Sequence, residues 1–367
     1  MGRSHHKRGG RWALAALCLT TSAVSGCGIV GPAVLSRGRP AYNEAIARTD
    51  DEQMLMAIVH SRYGETGSLL AVTSITANLR VGATLGAEVG VGADDSFSGN
   101  LVPLSAGAVY EENPTISYAP VQGEQYLKQL LSPIPLDLLT LLVRSLETRG
   151  GVLQLLVSRV NDLTNPDFVA SPDAQPDARF ARLVELLVTL HQAGVAVWVQ
   201  DPEQSSGFAL AIHDTGGAHD REVAELLALL GLPQPRDGSR SLVLPVASER
   251  ARSESAGLTL TTRSVYDLVE ILAATIDVPE SHGREGLSLS YPPLGAAGRN
   301  LHIRYSEKKP KRALVRVEYR GSWFYIDETD QPTKQAFRLV SALWAVSIAS
   351  ATQHLQKAPV LTLPTSR

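Results

Sequence analysis

From Ile75 to Val91 every odd position is apolar: Ile75, Ala77, Leu79, Val81, Ala83, Leu85, Ala87, Val89 and Val91. The even positions hold Thr76, Asn78, Arg80, Gly82, Thr84, Gly86, Glu88 and Gly90. A period of two places successive residues on opposite faces of a strand. The run is far longer than the ~5–6 residues of an ordinary strand. A polar stretch, residues 93–100, separates it from a second extended run that reaches Tyr118, with its clearest alternation at Leu104, Ala106, Ala108 and Tyr110. Together the two runs predict a long β-hairpin over residues 75–118. Two readings of it stay open. The hairpin is a membrane element contributed to a barrel of several copies, with its apolar face to lipid. Alternatively it is soluble, with that face over a core and its Gly-rich face to solvent; two shorter strands with a bend at Gly82–Gly86 are a further option. Pro103 and the lack of an aromatic girdle beyond Tyr110 and Tyr118 weigh against the membrane reading.

Elsewhere the period is mostly helical. Thr49-Asp50-Asp51-Glu52 reads as a capping box, followed by a helix with the apolar face Met54, Leu55, Ile58 and Val59 that ends near Tyr63-Gly64. Beyond the hairpin, residues 123–131 predict a helix with Tyr126, Leu127, Leu130 and Leu131 on one face. Pro133 and Pro135 break it. Residues 136–146 and 152–161 then predict a helical hairpin joined at Gly150-Gly151. The Pro- and Asp-rich residues 162–177 mark a boundary.

Residues 178–192 are helical. Strands at 195–200 and 208–213 precede a helix from Asp220 to Leu230, stopped by Gly231 and Pro233. The order recurs as strands at 242–246 and 258–262 and a helix at 265–276, a weak ββα repeat. Short strands near 301–305, 313–319 and 323–326 follow, with a tight turn at Arg320-Gly321-Ser322. The last helix runs from near Asp330 to about Leu355, and its apolar centre is too short to span a bilayer. The fold class is α+β: a long N-terminal β-hairpin and helical hairpin, followed by antiparallel strands with packed helices. The regions are a signal at 1–26, a tether at 27–42, the hairpin region at 43–165, an α+β domain at 178–356 and a tail at 357–367.

The N-terminus changes the picture. Residues 1–11 carry Arg3, Lys7, Arg8 and Arg11 and no acidic residue; an apolar stretch at 12–24 follows and ends in Val24-Ser25-Gly26-Cys27. Such a stretch suits a signal peptide and is too short to span ~30 Å of hydrocarbon. Small residues before a cysteine predict a lipoprotein signal, cleaved before Cys27, whose thiol takes up diacylglycerol. Gly28 in place of an aspartate points to the outer membrane, facing the periplasm. Gly28, Gly31, Pro32, Gly38 and Pro40 suggest a flexible tether. Cys18 would leave with the signal, so neither cysteine serves a disulfide or a thiolate metal site. Removing four of the 34 basic residues moves the net charge from −3 to −7, 30 basic against 37 acidic residues. That balance does not suggest a nucleic-acid partner.

The search for chemistry is mostly negative. There is no P-loop, no dinucleotide-binding glycine motif, no nucleophile elbow and no His-Glu-x-x-His. No cofactor is implied. His213, Asp214, His219 and Asp220 are the weak metal candidates, since imidazole and carboxylate suit zinc, although His213 ending a strand and Asp220 capping a helix explain them equally. Asp327, Glu328 and Asp330 are candidate acid–base carboxylates at the start of the last helix, where the macrodipole also favours them. Lys308-Lys309-Pro310-Lys311-Arg312 reads as a solvated hairpin turn, or as a contact for anionic headgroups or an envelope polymer. Trp198, Trp323 and Trp344 read as core packing.

Two stretches carry a resemblance. One is Tyr42-Asn43-Glu44-Ala45 with Glu52-Gln53-Met54-Leu55-Met56-Ala57-Ile58-Val59 and Arg62-Tyr63. The other is Glu112-Asn113-Pro114-Thr115-Ile116-Ser117-Tyr118-Ala119-Pro120, with Gln122-Gly123-Glu124 and Leu130-Leu131-Ser132-Pro133-Ile134-Pro135. Over residues 40–165 the chain resembles a family of bacterial envelope lipoproteins. The resemblance implies an envelope address and carries over no activity and no site residue. The expected function is a non-enzymatic assembly, scaffold or export role through the 75–118 hairpin, with copies of itself, an envelope protein or polymer, or the membrane as partner. A lipid-tethered periplasmic binding module is the alternative, and an envelope hydrolase a more distant one.

Overall fold

A computed structural model describes residues 27–65, 69–87, 104–121, 124–145, 149–165, 178–201, 207–213, 217–234, 241–248, 257–291, 298–353 and 361–364. The signal at 1–26 and the loop at 93–100 lie outside them.

The first helix, α1 (Cys27–Arg62), is longer than the capping-box reading predicts and takes in the expected tether. Thr49 does not cap it, because its hydroxyl donates to the Ile46 carbonyl at 2.9 Å, inside the helix. Met54, Leu55, Ile58 and Val59 are fully buried as the helical spacing requires. α1 packs on α7 (Val265–Ala274) and on β10 (Ala313–Tyr319).

The hairpin follows at once. β1 (Leu69–Ala87) and β2 (Leu104–Val121) pair antiparallel from Leu69 opposite Val121 to Ala87 opposite Leu104. The one irregularity lies between Val72 and Ser74, so the pairing runs unbroken through Gly82 and Gly86 and the strands are not divided there. The expected tail also contributes a strand. β12 (Leu361–Pro364) pairs antiparallel with β2, with Leu361 opposite Tyr118 and Pro364 opposite Thr115.

Beyond the hairpin, α2 (Glu124–Leu131) buries Leu130 but leaves Leu127 and Leu131 exposed, so the four predicted apolar positions do not form one buried face. α3 (Leu136–Ser145) and α4 (Arg149–Leu156) form the helical hairpin. The glycine pair starts α4 rather than joining it to α3. A Cβ on Gly150 would come within 3.1 Å of Val188, so that glycine permits the close approach of α4 to α5 (Ala178–Gln192).

α4 stops five residues before the predicted helix end. The chain passes directly into β3 (Val157–Val160) and β4 (Leu163–Thr164). The carbonyls at this junction would otherwise be orphaned. Arg263, buried, donates from Nη1 to Gln154 and Leu155, both at 2.8 Å, and Asn165 Nδ2 donates to Gln154 at 2.7 Å and Val157 at 2.6 Å.

β5 (Ala196–Gln200), β6 (Phe208–His213), α6 (Asp220–Leu229), β7 (Ser241–Ser248), β8 (Leu258–Thr262) and α7 occur in the predicted order. They belong to a six-stranded sheet in the order β4-β3-β8-β7-β6-β5. Residues on both sides of the 162–177 segment share this sheet and one continuous core from Met54 to Trp344. The sheet is mixed rather than antiparallel. β5 pairs with β6 antiparallel, whereas β7 pairs with β8 parallel. A duplicated ββα unit would give both strand pairs the same sense, so the two units are not copies of one motif. α7 is the central helix, packed against α1, α2 and α9 (Gln331–Gln353), with a capping box made by Ser264 and Asp267.

A three-stranded sheet, in the order β10-β11-β9, completes the fold from β9 (Arg304–Ser306), β10 and β11 (Ser322–Asp327). Since β11 lies between β9 and β10, the basic segment Lys308–Arg312 is a connection across β11 and not a hairpin turn. Lys309 Nζ sits 5.1 Å from the Trp323 ring centroid. Trp198 and Trp344 are buried, while Trp323 is only half-buried beneath that lysine. Among the described residues no helix is long and apolar enough to cross a membrane.

Candidate functional site

The register of the hairpin unites the two alternations seen in the sequence. Directly opposed residues of an antiparallel pair share a face. Val81, Ala83, Leu85 and Ala87 stand opposite Tyr110, Ala108, Ala106 and Leu104, which makes one apolar face. The other face takes Thr76 with Thr115, Asn78 with Asn113, Arg80 with Glu111 and Thr84 with Gly107. Leu79 stands opposite Glu112, the single charged position on the apolar face between Ile75 and Ala87.

The base of the hairpin is tied to the domain through the end of α1. Ser61 donates to Glu270 Oε1, and the Tyr291 hydroxyl donates to Glu270 Oε2 at 2.7 Å. The Tyr63 hydroxyl and His282 Nδ1, on α8 (Glu280–Arg284), are 2.7 Å apart. Tyr63 also packs its ring against Tyr319 and Phe324 at centroid distances of 5.0 and 6.0 Å. Arg320, at a positive φ of 48° in the β10–β11 turn, lies over the Tyr63 and Tyr319 rings and pairs with Glu65 at 2.8 Å. The Arg62 guanidinium carbon is 5.0 Å from the Tyr291 centroid, a cation–π placement. Burial holds its pKa below the ordinary arginine value, and its Nε and Nη1 are buried without a hydrogen-bond partner. Burial also pushes the Tyr63 phenol up to about 12, and raises Tyr291 by burial and its hydrogen bond to Glu270. Both phenols therefore stay protonated and act as hydrogen-bonding groups. The cluster locks α1 to α7, α8 and the small sheet just before the chain enters β1. Glu270, His282 and Tyr291 belong to no recognisable motif and are gathered with Arg62 and Tyr63 only by the fold.

Of the four weak metal candidates, His213, His219 and Asp220 lie among the described residues. His213 ends β6, exposed, and its N–H donates to the Val195 carbonyl at 2.7 Å. His219, not Asp220, is the N-cap of α6, and its Nδ1 lies 4.0 Å from Glu222. Asp220 is the first helical residue, and Asp214 lies outside the described residues. Among the described residues no group of three or more His, Cys, Asp or Glu is placed to hold a metal ion.

The three carboxylate candidates divide into separate roles. Asp327 accepts from the Thr329 hydroxyl and N–H at 2.6 and 2.9 Å, and these bonds hold its carboxyl below the usual range. Asp330 accepts from the Thr333 N–H at 3.1 Å and the Thr333 hydroxyl at 2.8 Å, as a cap of α9 does. The Thr333 oxygen in turn accepts from the His302 N–H at 2.8 Å. The Glu328 carbonyl accepts from Lys334 Nζ at 2.9 Å. Cys27 is the first residue of α1.

Comparison of the chain with family models, curated proteins and solved structures gave no match.

Proposed function

We propose that the chain is an outer-membrane lipoprotein, anchored through Cys27 and facing the periplasm, with a non-enzymatic assembly, scaffold or export role exercised through its long hairpin. The observation that carries this reading is the unbroken antiparallel register from Ser74 opposite Ser117 to Ala87 opposite Leu104, with one apolar face along it. Beyond β12, over residues 77–87 and 104–113, the described sheet is a two-stranded ribbon, marginal in water by itself, and burying that face between copies or in lipid supplies the missing stabilisation. The Ser61–Glu270–Tyr291 and Tyr63–His282 contacts give the ribbon a fixed base, as a transmitted load or a defined ring geometry requires.

The test is extraction of the full-length acylated protein in mild detergent, followed by sizing and electron microscopy. Ring-shaped oligomers are expected. A monodisperse monomer whose hairpin is cut by protease in intact vesicles would overturn the reading.

A further inference from the structure

β12 divides the outer edge of β2 into two parts. It covers residues 115–118, and among the described residues no strand pairs with the edge at 104–113. Pro114 and Pro120 bracket the covered segment. At the opposite edge of the sheet, β1 is the terminal strand.

Exposed edges usually carry proline, repeated charge or a bulge, because a row of unpaired N–H and C=O groups templates another strand. β1 has one irregularity at Val72/Ser74, and beyond it a single charged residue, Arg80, and no proline. β2 presents Glu111 and Glu112 along its uncovered part. The two edges are similar in length.

We infer that β1 of one copy pairs, over residues 77–87, with the β2 edge at 104–113 of a second copy of this chain, and that β12 stops this pairing at Pro114. The inference rests on the reading of the hairpin as an assembly element, and it names the surfaces that join. Copies related by rotation about an axis along the strands keep the order β1-β2-β1-β2 antiparallel, with every apolar face on the same side. Such a head-to-tail contact closes into a ring and leaves no free edge. The length left uncovered by β12 matches the ~9–11 residues that a tilted strand needs to cross a bilayer core. Glu112, two residues from Pro114, falls at the end of that length, where a charge costs less than at the midplane.

The test is disulfide trapping between two differently tagged full-length copies. One carries single cysteines scanned from position 69 to 87, the other Gly107→Cys or Ser117→Cys. Mixed cross-links from Gly107→Cys and none from Ser117→Cys are expected. Adding Thr362→Pro, which removes a β12 N–H opposite Ser117, should make Ser117→Cys cross-link. Oligomers on sizing without Gly107→Cys cross-links would overturn edge pairing while leaving assembly intact. Equal cross-linking from Ser117→Cys beside an unaltered β12, or none after Thr362→Pro, would overturn the stop. A monomer would overturn the inference together with the reading beneath it.

Discussion

Arg263 Nη1 donates to the Leu155 carbonyl at 2.8 Å, closing the end of α4 from a position 108 residues further along the chain. The same nitrogen serves Gln154. A buried cation at a helix C-terminus meets both the orphan carbonyls and the negative end of the macrodipole. Arg263→Leu should lower stability by about 1–3 kcal/mol, because it removes the donor to the Leu155 carbonyl and leaves Gln154 to Asn165 alone. Chemical denaturation with an unchanged m-value checks this, and retained stability would deny Arg263 its capping role.

Asp330 accepts from both the N–H and the hydroxyl of Thr333 at the start of α9. Asp330→Ala should cost about 1 kcal/mol, as the loss of a helix cap does, and Asp330→Asn should recover most of it because an amide oxygen caps as well. Thr333→Val removes both the donor to Asp330 and the acceptor for His302, and should destabilise more than either. Thermal melts of the three variants give the order. An Asn variant as unstable as the Ala variant would contradict the capping account.

The glycine pair of α4 should respond with opposite signs. Gly151 has open space around a built Cβ, so Gly151→Ala should stabilise by about 0.5–1 kcal/mol through helix propensity. At Gly150 a Cβ already meets Val188 at 3.1 Å, so Gly150→Val should overpack the α4–α5 contact and cost about 1–3 kcal/mol. Paired melting curves decide the matter.

Alkaline pH should unfold the corner at the end of α1. Burial raises the Tyr63 phenol from its ordinary 10.0 to about 12. The neutral form is thus favoured in the folded chain. Its stabilisation is complete below pH 10 and is lost as pH climbs toward 12, because the unfolded chain ionises first. Tyr291 is raised in the same direction. Tyr63→Phe should flatten the fall in stability over that window while losing the His282 contact at all pH values. A spectrophotometric phenol titration that finds every tyrosine ionising near 10 would contradict the burial.

Much of this was legible before any coordinates. The period-two run indicated the hairpin, since alternation fixes which residues of each strand share a face; the register that puts Ala83 opposite Ala108 came from the pairing itself. Met54, Leu55, Ile58 and Val59 declared a buried helical stripe, and the strands and helices from Ala196 to Ala274 fell where composition and breakers placed them. The corner of Ser61, Tyr63, Glu270, His282 and Tyr291 was not legible, because hydrogen bonds between elements leave no local period.

Local pattern determined which segments are helix or strand wherever the apolar spacing agreed with the packing that followed. The proposed lipid anchor at Cys27 rests on residue order alone. Tertiary structure decided three things. Residues 157–160 became strand because Arg263 and Asn165 satisfy the carbonyls that a continued helix would have used. β7 and β8 became parallel neighbours through pairing that no repeat in the sequence specifies. Residues 361–364 found a partner in β2 between two prolines. In each case the deciding partner lies far along the chain, and side-chain periodicity records only which face of an element is buried, not what it is buried against.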